Sequence, residues 1–140
     1  MVDPVETPTH DAADSRPVVL IVEDEFLLRW PAAEYLRDSG YRVIEAATVS
    51  EAIVVFSSST HVDLVFSDIN LQGELTGHAL ARWLSKHFPQ VPMLLTSGDR
   101  GAAESVSTGA TRWFVRKPYA LQDIDQRIQD ILKAIVSPDV

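Results

Sequence analysis

Short apolar runs recur along the chain, and most of them end in polar residues. The first run, VVLIV at 18–22, is continuously apolar, which is typical of a strand buried on both faces of a parallel sheet. Similar runs follow at intervals that leave room for a helix between them. The strands predicted from this pattern are 18–22, 41–45, 63–67, 91–96 and 111–116.

Helical segments alternate with these strands. The last one has an apolar stripe at spacings of three and four, and Gly40 fits the C-terminal cap of the first. The predicted helices are 26–38, 51–58, 77–88, a short and weak one at 101–107, and 121–135. This alternation predicts a doubly wound α/β fold, in which helices cover both faces of a five-stranded parallel sheet.

The 140 residues are enough for one domain with a core of useful size. Residues 1–16 are acidic, contain prolines and offer little to bury, so they are predicted to be a disordered tail. A short segment that docks on a partner is the alternative for this tail. The folded domain is predicted over 17–136, followed by a brief C-terminal tail at 137–140.

Composition excludes several classes of protein. The formal net charge of -8 argues against a general nucleic-acid binder, which needs a basic face. The absence of cysteine excludes disulfides, thiolate catalysis and cysteine-ligated zinc. No signal peptide and no apolar run of the roughly 20 residues that span a bilayer is present, so a cytoplasmic protein without a membrane partner is expected.

The unusual polar residues fall at the ends of the predicted strands. Glu23 and Asp24 follow the first strand, Asp68 follows the third, Thr96 ends the fourth and Lys117 follows the fifth. Because the carboxyl ends of parallel strands share one edge of the sheet, these side chains are expected to meet there.

Such a set has a definite chemistry. Crowded carboxylates need a cation, and ligands that are all oxygen suit a hard one such as Mg²⁺, with Mn²⁺ or Ca²⁺ as substitutes. Lys117 supplies a charge for a phosphoryl oxygen, and Thr96 supplies a hydroxyl. An aspartate that attacks phosphorus forms an aspartyl phosphate, so the pattern favours a phosphoacceptor at Asp68. No organic cofactor is expected, since the turn after the first strand is acidic where a nucleotide phosphate needs glycines.

Four short motifs carry a family resemblance: VEDE at 22–25, SDIN at 67–70, LTSG at 95–98 and RKPY at 116–119. In this order and spacing they make the chain from about residue 18 to residue 136 resemble the receiver domain of two-component response regulators, here of the stand-alone type. The resemblance implies a flavodoxin-like fold with strand order 2-1-3-4-5.

The resemblance also implies residue roles. Asp68 would be the phosphorylated aspartate and Lys117 the family's lysine, in a cis bond to its proline. Glu23, Asp24, Asp68 and the backbone carbonyl of Asn70 would hold the metal. Thr96 would be the switch hydroxyl, and Phe114 the aromatic ring that moves with it.

The implied function is signalling. A histidine kinase or a histidine phosphotransfer protein would donate the phosphoryl group, and the altered surface would contact an unknown downstream protein or form a homodimer through the fourth and fifth strand–helix face. A phosphate sink or relay shuttle uses the same site. An aspartate-nucleophile phosphatase is less favoured, because such enzymes carry a second acid two residues after the nucleophile, where this chain has Asn70. The chain is therefore not expected to be an enzyme.

Three features depart from the family pattern. Pro31 lies inside the first helix, where a kink is expected. Gln72 stands at a usual proline, in a loop that is one residue longer than usual before Gly77. Gln72 and the longer loop are expected to affect metal affinity or the dephosphorylation rate, and Pro31 is expected to affect the choice of phosphodonor.

Overall fold

The fold is a five-stranded parallel sheet with helices on both faces, and this computed structural model describes residues 14–71, 75–98 and 112–136. The strands are β1 (Val18–Val22), β2 (Arg42–Ala46), β3 (Leu64–Asp68), β4 (Met93–Ser97) and β5 (Arg112–Arg116). The helices of the described part are α1 (Phe26–Asp38), α2 (Val49–Ser57), α3 (Gly77–His87) and α4 (Leu121–Val136). The strand order is β2-β1-β3-β4-β5, so the predicted fold class and order are confirmed.

Two apolar layers enclose the sheet. Side chains of alternate strand residues join α2 and α3 on one face and α1 and α4 on the other. Strands β1, β3 and β4 are buried along their whole length, which explains why β1 is apolar throughout and why β3 and β4 each begin with three apolar residues. The polar residues of this core are therefore confined to the strand ends.

The predicted elements agree with the structure to within a few residues, but the start of α2 was wrong. Ser50 was expected to precede that helix, whereas α2 begins at Val49. The hydroxyl of Thr48 accepts a hydrogen bond from the Glu51 N–H, and the Glu51 carboxylate accepts one from the Ala47 N–H. This reciprocal cap has a recognisable sequence pattern, Thr-x-x-Glu, in which the Thr is the N-cap. The pattern therefore places the start of the helix at Val49, immediately after Thr48.

Helix α1 runs without interruption through Pro31. It ends at Asp38 and is closed, as predicted, by Gly40, whose φ of 106° is a conformation that glycine adopts without strain. The N–H groups of Gly40 and Tyr41 donate to the carbonyls of Arg37 and Leu36, which closes the last turn.

Several predictions fall outside the described residues. These are the weak helix at 101–107, Gln72 with its longer loop, nearly all of the N-terminal tail and the C-terminal tail. Among the described helices, none combines the length and hydrophobicity that crossing a membrane requires.

Gly77 allows α3 to begin directly against the end of β3. A Cβ atom at this position would overlap the carbonyl oxygen of Asp68 and lie 2.7 Å from the Cα of Ile69. The Gly77 N–H also donates to the Ile69 carbonyl at 2.9 Å. The close packing of α3 against the backbone of Asp68 and Ile69 is therefore possible only because Gly77 has no side chain.

We expect Gly77→Ala to lower the free energy of unfolding by about 1–3 kcal/mol, because a backbone clash cannot be relieved by a side-chain rotation. Urea denaturation measures this. Gly98→Ala is the matched control, since among the described residues its Cβ would meet only the Cβ of Lys117, at 3.9 Å. Equal effects of the two substitutions would contradict this account.

Candidate functional site

Three acidic side chains meet at the carboxyl edge of the sheet. Glu23 and Asp24 follow β1 and Asp68 ends β3, which is the neighbouring strand. One carboxylate oxygen from each of the three lies within 4.8 Å of the others. The side chains that the sequence placed at one edge are thus brought together, and Asp24 and Asp68 share one environment.

Burial makes this cluster electrostatically expensive. Glu23 is only 4% exposed and Asp68 only 6%. The pKa of Glu23 is raised from an ordinary 4.5 to about 7, mainly by burial. The charge of Asp68 and the hydrogen bond with Asp24 add to this rise, and the Glu25 backbone N–H and Lys117 oppose it. In the absence of a metal ion, Glu23 is therefore divided between its protonated and charged forms near neutral pH.

Lys117 is the cation that the fold itself supplies. Its Nζ donates to Asp68 Oδ2 at 2.9 Å and lies 3.4 Å from Glu23 Oε1. Burial lowers the pKa of Lys117, but the hydrogen bond and charge of Asp68 together with the charge of Glu23 raise it by more, so it lies above its ordinary value. The backbone N–H of Lys117 donates to the Ser97 carbonyl, which holds this residue beside β4, and its bond to Pro118 is cis as expected.

Thr96 brings a hydroxyl group that is not satisfied within the described structure. The residue is 1% exposed, and its Oγ1 has no hydrogen-bond partner among the described residues. Since a buried unpaired hydroxyl costs free energy, such a group is expected to have a partner in another state of the site.

Phe114 lies one residue before the β5 partner of Thr96 and is half-buried against the apolar layer formed with α2 and α3. Its ring is thus in the core in this structure. This position is compatible with the predicted movement but does not test it.

Asn70 connects the ends of β3 and β4. Its backbone N–H donates to Asp68 Oδ1 at 3.0 Å, and its side-chain amide donates to the hydroxyl of Ser97 at 2.9 Å. The Ile69 N–H donates to the Thr96 carbonyl at 2.9 Å. Asn70 was predicted for its carbonyl alone, and the side-chain contact with Ser97 was missed.

A shallow cavity of about 460 Å³ opens beside the amine of Lys117. It is lined by Leu28, Gly98, Lys117, Pro118 and Tyr119. Next to it, the first half of α1 exposes a group of large apolar side chains: Phe26, Leu27, Leu28 and Trp30. The surface next to Lys117 is therefore largely apolar.

The donor set suits a hard divalent cation. The cluster offers carboxylate oxygens and, within the described residues, no imidazole or thiolate. Oxygen ligands at an accessible edge match Mg²⁺, which retains several waters and is usually held by one or two carboxylates. The residues present therefore fit the metal that the sequence predicted.

Comparison with known proteins places this geometry in a family. The model of the response regulator receiver domain matches residues 19–129. The sensor kinase CckA of Brucella abortus is 31% identical over 118 residues, which is 82% of this chain but 12% of the kinase. The transcriptional regulatory protein PdtaR of Mycobacterium tuberculosis is 28% identical over 123 residues, 87% of this chain and 60% of PdtaR. The chain thus spans less than two thirds of either relative.

A solved structure shows the same architecture. It is that of a CheY-like response regulator receiver domain protein from Methanospirillum hungatei, with a TM-score of 0.80 at 25% sequence identity. The superposition covers 89% of this chain and 99% of that one. The agreement therefore extends over nearly the whole fold.

We expect Thr96→Val to leave the free energy of unfolding of the metal-free protein unchanged or to raise it by up to about 2 kcal/mol, because a methyl group replaces a buried hydroxyl that has no partner among the described residues. Urea denaturation in EDTA measures this. Thr48→Val is the control, since the Thr48 hydroxyl caps α2 and its loss should cost about 1 kcal/mol. A loss at Thr96 as large as that at Thr48 would show that the Thr96 hydroxyl has a partner.

We also expect the metal-free protein to lose stability as the pH rises. The pKa of Glu23 is raised to about 7 in the folded protein, from an ordinary value of 4.5, so between these values the folded state holds a proton that the unfolded chain has released. The contribution of Glu23 to the free energy of unfolding is therefore fully present below its ordinary pKa of 4.5. It is lost as the pH rises through the pKa of about 7 in the folded protein.

Urea denaturation at intervals from about pH 5 to about pH 8, in EDTA, measures the slope. Glu23→Gln should flatten it, because the amide does not titrate. A slope that is identical in Glu23→Gln would show that other groups cause it. Mg²⁺ should stabilise the wild-type protein more at the upper end of this range, since it competes with the proton.

Proposed function

Because this chain belongs to the family of response regulator receiver domains, we propose that it accepts a phosphoryl group on Asp68 from a histidine kinase or a histidine phosphotransfer protein. The observation that carries this proposal is the pairing of Asp68 with Lys117 at 2.9 Å inside a cluster of three carboxylates. A structural ion pair would not need the two further acids, and their crowding would destabilise the fold without a compensating role.

The chemical step is a displacement at phosphorus. One oxygen of Asp68 attacks the phosphorus atom of phosphohistidine, a P–O bond forms, and the P–N bond breaks with its electron pair leaving on the imidazole. Lys117 lies where its amine can contact a phosphoryl oxygen, and the Thr96 hydroxyl can donate to another. Attack of water on the aspartyl phosphate later returns the site to its starting state.

Glu23, Asp24, Asp68 and the carbonyl of Asn70 would hold Mg²⁺, which when bound neutralises charge on the phosphoryl oxygens and aligns them. Mn²⁺ or Ca²⁺ can take its place, because the ligands are all oxygen. Asp24 is the more accessible acid of the pair and Glu23 the buried one, which supports direct coordination by Asp24 and a contact through water for Glu23.

The partners follow from the surfaces around the site. A phosphodonor protein with an apolar helical surface would cover Phe26, Leu27 and Trp30 of α1 while its histidine enters the cavity beside Lys117. The output would arise when Thr96 binds the phosphoryl group and Phe114 adjusts, since both lie on the β4–β5 side of the sheet. A downstream protein or a second copy of the chain would then bind there, and with a net charge of -8 nucleic acid is a poor candidate.

We propose further that the chain is a signalling protein of the cytoplasm and not an enzyme that turns over external substrates. Asn70 supports this, because its side chain is committed to Ser97 and carries no acid–base group two residues after Asp68. A phosphate sink or relay shuttle would use the same chemistry. Capture of partner proteins with and without beryllofluoride separates that role from signalling.

We expect acetyl phosphate with Mg²⁺ to label the wild-type chain once, and Asp68→Asn to abolish labelling, because an amide is not a nucleophile for phosphorus. Mass spectrometry of the intact protein measures this, and EDTA should suppress it. Asp130→Asn, an exposed position on α4, is the matched control. Labelling of Asp68→Asn at the wild-type level would disprove the assignment, and multiple turnover of small phosphomonoesters would favour an enzyme instead.

A further inference from the structure

We propose that Arg29 is a positioning residue for the metal site, because its guanidinium holds the peptide that joins Glu23 to Asp24. This inference rests on the proposed function, since it concerns the two acids that would hold the cation. Arg29 lies on α1, and it would act through the backbone of the acidic turn without touching the metal or the phosphoryl group.

Two directed hydrogen bonds carry the proposal. Arg29 Nη1 donates to the carbonyl oxygen of Glu23 at 3.0 Å, and Arg29 Nε donates to Glu45 Oε1 at 3.1 Å. The Arg29 side chain is 17% exposed and that of Glu45 is 24% exposed, so both are partly shielded from water. The guanidinium thus connects the end of β1 to the edge strand β2.

The carbonyl of Glu23 belongs to the same planar unit as the N–H of Asp24. Because a peptide is rigid, fixing that oxygen fixes the plane from which the Asp24 side chain departs. The Glu23 N–H donates to the Ala46 carbonyl at 3.0 Å, so β2 already holds the preceding peptide. Arg29 completes this restraint on the other side of Glu23.

Within the acidic turn, the Glu25 N–H donates to Glu23 Oε2 at 3.2 Å, but the entry to α1 has no side-chain cap. Glu25, at the N-cap of α1, makes no side-chain capping hydrogen bond, and the first turn of the helix contains no acidic residue. The usual devices that fix a helix entry are therefore missing. The hydrogen bond from Arg29 to the Glu23 carbonyl instead restrains the backbone between the two acids, Glu23 and Asp24.

The geometry requires arginine in particular. A planar guanidinium offers several N–H groups in a fixed arrangement and can bond Glu23 and Glu45 together. A lysine has one nitrogen on a flexible stem, so it would satisfy one of these acceptors well and the other poorly. The conservative substitution should therefore retain part of the effect.

Arg37 provides a matched control from the same network. Its Nη1 lies 3.2 Å from Glu45 Oε2 and 2.8 Å from Glu34 Oε2, and its Nη2 donates to the Val43 carbonyl. Within the described part of the chain its hydrogen bonds do not include Glu23. Removing Arg37 therefore disturbs α1, β2 and Glu45 without releasing the acidic turn.

The test compares Arg29→Met, Arg29→Lys and Arg37→Met in the full chain, with methionine keeping the apolar stem. Isothermal calorimetry measures the Kd of Mg²⁺, and urea denaturation in EDTA measures stability. We expect Arg29→Met to weaken Mg²⁺ binding by about 10-fold, as loss of a group that orients metal ligands commonly does. The Kd of Mg²⁺ for Arg29→Lys should lie between that of Arg29→Met and that of the wild type. The Kd for Arg37→Met should stay within about twofold of the wild-type value.

Labelling by acetyl phosphate provides a second readout. In Arg29→Met the Mg²⁺ concentration for half-maximal labelling should rise by the same factor, while the rate at saturating Mg²⁺ stays near that of the wild type. A purely structural role would lower stability without this shift. If Arg29→Met does not fold, Arg29→Lys alone decides, through its own shift against Arg37→Met.

Wild-type Mg²⁺ affinity in the Arg29 variants, or an equal loss in Arg37→Met, would overturn the proposal and leave the proposed function intact, provided that Asp24→Asn still weakens binding. If the wild-type chain bound no Mg²⁺ and was not labelled, the proposed function itself would be wrong, and this inference with it.

Discussion

The crowding of three carboxylates around a single lysine is the constraint on which this site depends. Lys117 lies between Asp68 and Glu23, but one positive charge cannot neutralise three acids held within 4.8 Å. The structure accommodates the excess by letting Glu23 keep a proton, at a pKa raised by burial. A divalent cation bound by these acids would therefore displace the proton of Glu23.

The parallel sheet makes this crowding unavoidable. Backbone hydrogen bonds hold the strand ends together at the carboxyl edge: Glu23 donates to β2, Ile69, next to Asp68, donates to β4, and Lys117 donates to the end of β4. The strands behind them are buried and tightly packed, so these ends cannot spread to relieve repulsion. Folding energy from two apolar layers thus holds together charges that would otherwise separate.

Much of this could be predicted because buried parallel strands have a clear sequence pattern. The run at β1 is apolar throughout, and the run at β4 is apolar up to Thr96. The polar residues that follow these runs are therefore easy to recognise, and the parallel topology brings them to one edge of the sheet. The Thr48 cap could also have been found from Thr-x-x-Glu. The contacts of Arg29 with Glu23 and of Asn70 with Ser97 could not, because they depend on side-chain directions that no spacing encodes.

The Thr96 hydroxyl, which has no partner among the described residues, and the cluster of three acids would both be affected by phosphorylation of Asp68. Phosphorylation would replace the single charge of Asp68 with nearly two and add three acceptor oxygens. Those oxygens offer the Thr96 hydroxyl the partner that it lacks in the described structure, while the added charge can be tolerated only with a cation beside Lys117. In the proposed phosphorylated state, the metal and the Thr96 hydroxyl would thus be coupled through the same oxygens. The buried Thr96 hydroxyl raises the free energy of the unphosphorylated state as long as it has no partner. A hydrogen bond to the phosphoryl group would remove this cost and so favour the rearranged state.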